Sequence, residues 1–416
     1  MLTVMHRRHL LAGLMASTLP FPTAAAPADG AANAADVAWL IDQFAAHYAY
    51  LPDRHVDLGR LRAIYGPEAR AAGDAHAFLG VLERLLAEFH DHHIEAGVNN
   101  AASPQLVPTG AEAWATFRGG RALIEEVRPG SSLEKAGLRA GDEVIAIAGV
   151  PVKQAVAAHA PRALSAPDPE ADDYTLRVLL AGTHSARRVF TVRGTAPLAI
   201  DLPPHQGAPQ GPLLTVRRID DEIACLRIEN SLGDPGLVAA FDAALVPLKT
   251  VRGLILDLRN TPSGGNTDVA EPILGRFVTG RPGYQRVFDP GPGKAFPKDS
   301  YVRWVRARGP FRVAANLVVL CDRWTGSMGE GMTIGLDALG RAQIVGTRMA
   351  GLCGATSGFQ LPNSGIGVNF PTERLYHLNG TPREKWLPPV RVDLARETGA
   401  DPILARGVAA LRAMPR

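Results

Sequence analysis

The stretch ANLVVLCDRWTGSMGEG, residues 315–331, joins an apolar run to a glycine-flanked serine and a helical pattern. Its run LVVL, residues 317–320, is uninterrupted, which is typical of a strand buried on both faces of a parallel sheet. Apolar residues then recur at helical spacing from Met332 to Leu339. The stretch therefore predicts a strand that turns into a helix at Ser327, at the sheet edge where α/β proteins place active sites.

Ser327 has two interpretations at this turn. A helix N-terminus directs backbone N–H groups and the positive end of the helix dipole towards a bound group, which makes the serine a candidate nucleophile. A lone serine before a helix is more often an N-cap. This stretch alone favours the cap, so the choice depends on partners elsewhere in the chain.

Strands and helices alternate on both sides of this stretch. Strands are predicted at 223–228, 253–258 and 343–345, and helices at 235–248, 268–277 and 401–414. The alternation predicts an α/β core over residues 213–395, followed by a C-terminal helix within residues 396–416. The Pro/Gly-rich residues 196–212 are predicted to form a linker before this core.

The part of the chain before residue 100 carries helical periodicity. Residues 33–100 are predicted to form an N-terminal helical domain, which ends in the sequence HDHH at residues 90–93. Three histidines within four residues also allow a zinc site. We favour no metal here, because the segment has no HExxH spacing and no cysteine to complete a ligand set.

The middle of the chain resembles a PDZ domain. The sequence PGSSLEKAGLRAGDEVIAIAG at residues 129–149 carries the resemblance, which extends over residues 105–195. It implies a β domain that binds extended peptides by strand addition to a sheet edge. The alternative is a PDZ fold that serves only for packing.

Length and charge narrow the class of protein. The chain has 416 residues and a formal net charge of +3, which suits several globular domains and does not indicate a nucleic-acid partner. Cys225, Cys321 and Cys353 have no metal-finger or disulfide spacing, and the first two lie in apolar strand patterns as small core residues.

Residues 1–26 have the pattern of an export signal. His6 to His9 form a basic start, an apolar run follows, and Ala24 to Ala26 offer a cleavage site. Arg7 and Arg8 also resemble a twin-arginine signal. We therefore expect an exported, periplasmic protein without a membrane span in its mature chain.

Three motifs and the PDZ-like segment together resemble the C-terminal-processing/tricorn-core family of serine peptidases. The motifs are LILDLRNTPSGGN at 254–266, VVLCDRWTGSMGEG at 318–331 and GRAQIVGTRMAG at 340–351. The resemblance implies a multidomain α/β fold with a ClpP/crotonase-like core, and Ser327 as nucleophile. It also implies an oxyanion hole built from the backbone N–H groups of Gly264 and Met328, where a glycine-rich loop permits close approach.

The general base separates two branches of this family. Processing peptidases of the family usually place a lysine where this chain has Leu352, and a leucine cannot accept a proton. The tricorn-like branch uses a histidine after an N-terminal helix, which corresponds to His93, and a distal glutamate, which corresponds to Glu384. The resemblance leaves open whether Glu384 reaches His93 directly or through His92.

These residues predict a serine peptidase that cleaves peptides or protein C-terminal tails in the cell envelope, without cofactor or metal. The alternatives are a catalytically silent protein of the same fold that binds peptide or apolar ligands, and a PDZ-based adaptor. The filled serine, histidine, glycine and glutamate positions favour the enzyme. Oligomeric state is not determined by the sequence.

Overall fold

The structure is a computed structural model that describes residues 29–194, 197–207, 211–397 and 399–415. The export signal predicted at residues 1–26 lies outside the described residues. Among those that are described, no helix is long and apolar enough to cross a membrane.

The N-terminal region is helical, as predicted, and ends in a short strand. It consists of α1 (Gly30–His47), α2 (Leu58–Ala71), α3 (Ala75–Ala87) and β1 (Glu95–Ala96). Its helices bury an aromatic cluster in which the ring of Phe44 stacks on Phe89 at 4.0 Å and on Phe370 at 4.3 Å. Because Phe370 belongs to the C-terminal half of the chain, the N-terminal helices fold back onto the core.

The middle of the chain forms one sheet flanked by helices. In chain order it contains β2 (Ala113–Arg118), β3 (Arg121–Val127), α4 (Ser132–Lys135), β4 (Glu143–Ile147), β5 (Val150–Pro151), α5 (Val152–His159), α6 (Pro169–Ala181), β6 (Arg188–Arg193) and β7 (Pro197–Leu202). The strand order is β2-β3-β4-β6-β7, with β5 on β4. The prediction of a linker at residues 196–212 is wrong for the part that forms β7, because this strand pairs antiparallel with β6 and completes the sheet.

The remaining chain builds the α/β core. Its elements are β8 (Leu214–Arg218), β9 (Ile223–Ile228), α7 (Gly236–Leu245), β10 (Gly253–Asp257), α8 (Thr267–Leu274), β11 (Gly283–Phe288), β12 (Tyr301–Trp304), β13 (Asn316–Cys321), α9 (Met328–Ala338), β14 (Gln343–Gly346), β15 (Ala355–Gln360), β16 (Gly367–Tyr376), β17 (Val390–Arg391) and α10 (Pro402–Ala413). The strands and helices predicted here are confirmed to within a few residues.

The central sheet of the core has the order β17-β14-β13-β10-β9-β8. All neighbours except β8 and β9 are parallel. Both faces are buried: Leu256 and Val319 lie in one apolar cluster, while Ile255 and Val318 lie in another. Burial on both faces explains the continuous apolar run at residues 317–320, because no strand position faces water.

A second sheet connects the N-terminal region to the core. Its strands run in the order β1-β16-β11-β12, and β15 also pairs with β16. The antiparallel pairing of Glu95 with Asn369 and of Ala96 with Val368 fixes the chain directly after the HDHH segment. The end of α3 and the start of β1 therefore hold residues 90–94 between two anchored elements.

Candidate active site

Ser327 stands at the turn between β13 and α9, where the strand-to-helix pattern placed it. Its backbone has φ 47° and ψ −109°, a conformation that a residue with a side chain rarely adopts. Such strain costs about 1–3 kcal/mol and occurs mainly where function requires it. The turn directs Oγ of Ser327 to within 3.0 Å of Nε2 of His93. The hydroxyl thus faces an imidazole, which distinguishes Ser327 from an ordinary N-cap.

His93 reaches this position through the turn that ends α3. The Oδ1 atom of Asp91 accepts the backbone N–H of His93 at 2.9 Å, and Oδ2 accepts the hydroxyl of Tyr48 at 2.8 Å. Asp91 is buried, so these bonds fix the turn in a medium of low dielectric constant. The histidine is therefore held by the N-terminal helices, while the serine is held by the central sheet.

The other ring nitrogen of His93 identifies the tautomer. Nδ1 is hydrogen-bonded to the backbone carbonyl of Cys353. Because a carbonyl oxygen can only accept, Nδ1 carries the proton and Nε2 offers its lone pair to the Ser327 hydroxyl. Burial, followed by the positive charge of Arg383, lowers the pKa of His93 from 6.5 to about 4. The imidazole is thus neutral at neutral pH and able to accept a proton.

The predicted oxyanion loop lies directly against the serine. Gly264 has φ +65°, and a Cβ placed on it would lie 2.4 Å from Cβ of Ser327 and 3.0 Å from N of Met328. Only glycine fits there, and the backbone N–H of Met328 lies beside it at the first position of α9. The N–H of Gly264 itself donates to the carbonyl of Thr261 at 3.0 Å. Gly264 and Met328 are therefore adjacent, but the Gly264 donor is engaged within its own turn.

Glu330 fastens the serine turn to the next loop. Its carboxylate accepts the backbone N–H of Ser327 at 2.9 Å and those of Gly351 and Leu352 at 2.9 and 3.2 Å. The side chain is fully buried, and this burial raises its pKa to about 7. One carboxylate thus connects the Ser327 turn to the segment that presents the Cys353 carbonyl to His93.

Leu352 stands at the position where processing peptidases of the family carry lysine. It is buried in an apolar cluster with Trp114 and Ala350. Its Cδ1 atom would lie 3.3 Å from a Cβ placed on Gly326, directly before the nucleophile. Leu352 therefore packs against the serine turn and supplies no base.

Glu384 does not make the contact expected of it. Its Oε2 atom accepts the hydroxyl of Tyr50 at 3.4 Å, and burial raises the pKa of its carboxyl group. Among the hydrogen bonds of the described residues, none joins Glu384 to His92 or His93. The expected geometry is corrected on this point, because the Cys353 carbonyl occupies the Nδ1 side of His93.

The three histidines of the HDHH segment face different partners. His90 is buried and its Nε2 lies 2.9 Å from Oδ2 of Asp168. His92 stacks on Tyr174 with ring centroids 4.4 Å apart, and burial lowers the pKa of His92 well below its ordinary value. The three histidines thus have separate partners, and no group of three or more His, Cys, Asp or Glu side chains in the described part of the chain is placed to hold a metal ion.

The PDZ-like sheet contacts the serine loop and has an occupied edge. The indole of Trp324 donates to the carbonyl of Ala111 at 2.8 Å, which joins the two parts. Strand β2 is an edge strand, but Asp173 of α6 accepts the N–H of Phe117 at 2.6 Å and Arg177 donates to the carbonyl of Ala115 at 3.0 Å. Side chains of α6 thus satisfy backbone groups that an added peptide strand would use.

Sequence reasoning missed four contributors to the site. Asp91 lies in the HDHH segment and Glu330 three residues after the serine, so their positions were visible but their contacts were not. The Cys353 carbonyl and Arg383 carried no sequence signal. A backbone carbonyl exists at every residue, and only the folded chain determines which one faces a histidine.

The fold and this site define a class of protein: an α/β serine peptidase that carries a PDZ domain. Residues 222–393 match the profile of peptidase family S41, and residues 123–171 match that of the PDZ domain. The α/β core thus matches the peptidase S41 family, and the resemblance found in the sequence is confirmed. A comparison with curated proteins by sequence gave no match.

Two solved structures share the fold over nearly the whole chain. The photosystem II D1 C-terminal processing protease is 18% identical, with a TM-score of 0.55, and the match covers 91% of this chain and 96% of that one. Mature CPAF is 16% identical, with a TM-score of 0.57 and coverage of 92% and 96%. These similarities confirm the arrangement of an α/β peptidase core with a PDZ domain.

Proposed function

We propose that this protein hydrolyses peptides or protein C-terminal tails with Ser327 as nucleophile and His93 as general base. The 3.0 Å contact between Ser327 Oγ and His93 Nε2 carries the proposal. It lies within the range of heavy-atom distances, roughly 2.6–3.2 Å, that proton transfer between nucleophile and base requires. Leu352 supports this pair over a serine–lysine pair, because it fills the lysine position with an apolar side chain.

The geometry supports the following sequence of steps. His93 Nε2 accepts the Ser327 proton as Oγ attacks the scissile carbonyl carbon, and the protonated imidazole then donates to the leaving amine. The N–H of Met328, at the positive end of the α9 dipole, stabilises the oxyanion. Water attacks the acyl-serine with the same histidine as base. The second oxyanion donor, Gly264, acts once its N–H leaves the carbonyl of Thr261.

The engaged N–H of Gly264 favours a second candidate function. With this donor bonded to Thr261, the site has the nucleophile and base but only one free oxyanion donor of the expected two. Such a protein binds a peptide or an apolar ligand without turning it over. Removal of one oxyanion donor lowers kcat by about 10²–10³ in serine peptidases, which gives the size of the effect.

The proposal also covers the cellular location of the protein and the way in which it captures its substrate. We place the protein in the cell envelope on the basis of the signal pattern at residues 1–26. Capture of an extended peptide by the PDZ domain requires Asp173 and Arg177 to leave the edge of β2. Cell fractionation tests the location. Cells that express the full chain are fractionated, and the protein is detected in the periplasm or in the cytoplasm.

A fluorophosphonate probe tests the chemistry. An activated serine reacts covalently with it, and mass spectrometry locates the adduct. We expect labelling at Ser327 that is lost in His93→Ala and kept in Leu352→Met. Labelling together with hydrolysis of unstructured protein substrates supports the peptidase, whereas absence of both in the folded wild-type protein supports the binding protein.

A further inference from the structure

The loop between β14 and β15 is held on both sides of Cys353. Glu330 accepts the N–H groups of Gly351 and Leu352. Nη2 of Arg383 donates to the carbonyl of Leu352 at 2.9 Å and to the carbonyl of Gly354 at 2.7 Å. The Cys353 carbonyl lies between the two carbonyls that Arg383 bridges, so its direction is fixed by its neighbours.

Gly354 removes the remaining freedom of this loop. Its φ is +46°, and a Cβ placed on it would lie 1.9 Å from the carbonyl oxygen of Glu373. The side chain of Cys353 is also buried, and its sulfur accepts a hydrogen bond from Nη2 of Arg54 at 3.1 Å. The carbonyl of Cys353 is therefore as rigidly placed as a buried side chain would be.

This carbonyl occupies the position that a carboxylate takes in most serine–histidine pairs. It accepts Nδ1–H of His93, and none of the hydrogen bonds of the described residues brings a carboxylate to that nitrogen. We propose that Arg383 is a positioning residue for the reaction, which holds the loop so that the Cys353 carbonyl orients His93. The consequence for catalysis rests on the proposed function, whereas the orientation of the ring does not.

The charge of Arg383 has a separate effect on the same ring. Arg383 is 2% exposed, and its guanidinium lowers the pKa of His93, while the negative charge of Asp91 raises it. Of the other acids near the loop, Glu330 bonds backbone N–H groups and lies 3.9 Å from Nη2 of Arg383, whereas Glu384 bonds Tyr50. Replacement of Arg383 by lysine keeps the charge but exchanges the planar guanidinium, whose Nη2 bonds both carbonyls, for a shorter and more flexible ammonium. Methionine removes both the charge and the donors.

Arg341 provides a matched control. Its Nη2 atom also bridges two carbonyls, those of Val313 at 2.8 Å and Ala315 at 2.6 Å, ahead of β13. In both arginines Nε is buried without a hydrogen-bond partner among the described residues. Arg341 lies near the N-terminal end of β13, whereas Ser327 follows its C-terminal end. Loss of a two-carbonyl clamp is thus common to Arg341→Met and Arg383→Met, but only the latter acts on His93.

The test combines kinetics with NMR of ¹⁵N-labelled histidine, where His93→Ala assigns the His93 signals. In the wild-type protein we expect the Nδ1–H tautomer of His93 and a titration well below 6.5. Arg383→Lys should lower kcat by about 10²-fold with KM little changed, because orientation of the base is lost. Its His93 titration should stay low, whereas Arg383→Met should raise it. Arg341→Met should keep kcat within about two-fold of the wild type.

Each measurement has an outcome that overturns the proposal. An Nε2–H tautomer in the wild type excludes the carbonyl as orienting partner, even if neither Arg383 variant folds. Equal kcat in Arg383→Lys and Arg341→Met excludes a positioning role. A wild-type protein with the Nδ1–H tautomer and low titration but no hydrolysis refutes the proposed function alone, because the orientation of His93 then stands without catalysis.

Discussion

Ser327 Oγ and His93 Nε2 lie 3.0 Å apart although 234 positions separate them in the chain. The PDZ domain is inserted between the two residues, so the candidate active site is assembled from the N-terminal helices and the central sheet. The ring of Phe44, which stacks on Phe89 and on Phe370, and the pairing of β1 with β16 bring the two parts together. Each prediction below concerns one part of this assembly.

Removal of the nucleophile should abolish hydrolysis without loss of the fold. We expect Ser327→Ala to lower kcat by about 10⁴–10⁶. The midpoint temperature of thermal unfolding should not fall, because the substitution removes no packing contact. The Glu330 carboxylate also still accepts the backbone N–H at position 327. Ser185→Ala, at an exposed serine of the PDZ domain, is the control. Peptide hydrolysis and circular dichroism provide the readouts; undiminished turnover in Ser327→Ala contradicts the nucleophile assignment.

The two histidines His93 and His90 should separate chemistry from stability. His93→Ala should lose activity because Ser327 is left without a base. His90→Ala removes a buried partner of Asp168, so we expect the free energy of unfolding to fall by about 1–3 kcal/mol while the folded enzyme keeps its kcat. Urea denaturation and kcat at saturating substrate test the pair. A stable but inactive His90→Ala protein would place His90 in the catalytic set.

The pH dependence should extend further to acid than that of an ordinary histidine base. Burial and Arg383 lower the pKa of His93 to about 4, so the neutral, proton-accepting form persists as the pH falls below 6.5. We therefore expect kcat/KM to fall with decreasing pH between pH 6.5 and 4, and to show no such fall above pH 6.5. An acid limb at or above pH 6.5 shows that the free enzyme holds His93 in a different environment.

Glu384 and Leu352 should both prove dispensable for the chemical step. Glu384 bonds Tyr50 and not a histidine, so Glu384→Gln should keep kcat within about ten-fold. Leu352→Met conserves volume in the apolar cluster and should cost less than about 1.5 kcal/mol of stability, with the reaction type unchanged. A loss of about 10³-fold or more in Glu384→Gln would return Glu384 to the role that the family resemblance gave it.

Opening the edge of β2 should expose a peptide-binding strand. Asp173→Ala frees the N–H of Phe117, so hydrogen exchange at that amide should accelerate. Asp172→Ala, at the exposed neighbouring position, is the matched control. A mixture of peptides with free C-termini should slow this exchange in Asp173→Ala but not in the wild type. If the peptides slow the exchange of the Phe117 amide equally in the wild type, the side chains of α6 leave the edge of β2 on peptide binding without any mutation.

Local sequence pattern accounts for the strand-to-helix turn at Ser327 and for the order of the core elements. The run LVVL, for example, is uninterrupted because its strand is buried on both faces. Family motifs also selected His93 from three neighbouring histidines, because the motif fixes its spacing from the end of α3. The linker at 196–212 was misjudged over β7, since pairing with β6 outweighs a composition rich in proline and glycine.

The partner that orients His93 and the side chains at the PDZ edge depend on long-range packing. A carboxylate such as Glu384 is recognisable in a sequence, whereas the carbonyl of Cys353 is chemically the same as any other until the chain folds. Arg383 acquires its role because Leu352 and Gly354 turn their carbonyls towards it. Asp173 and Arg177 likewise face β2 only after α6 docks. Local pattern thus specifies the elements and the turn that carries Ser327, while long-range packing determines which backbone groups the functional side chains meet.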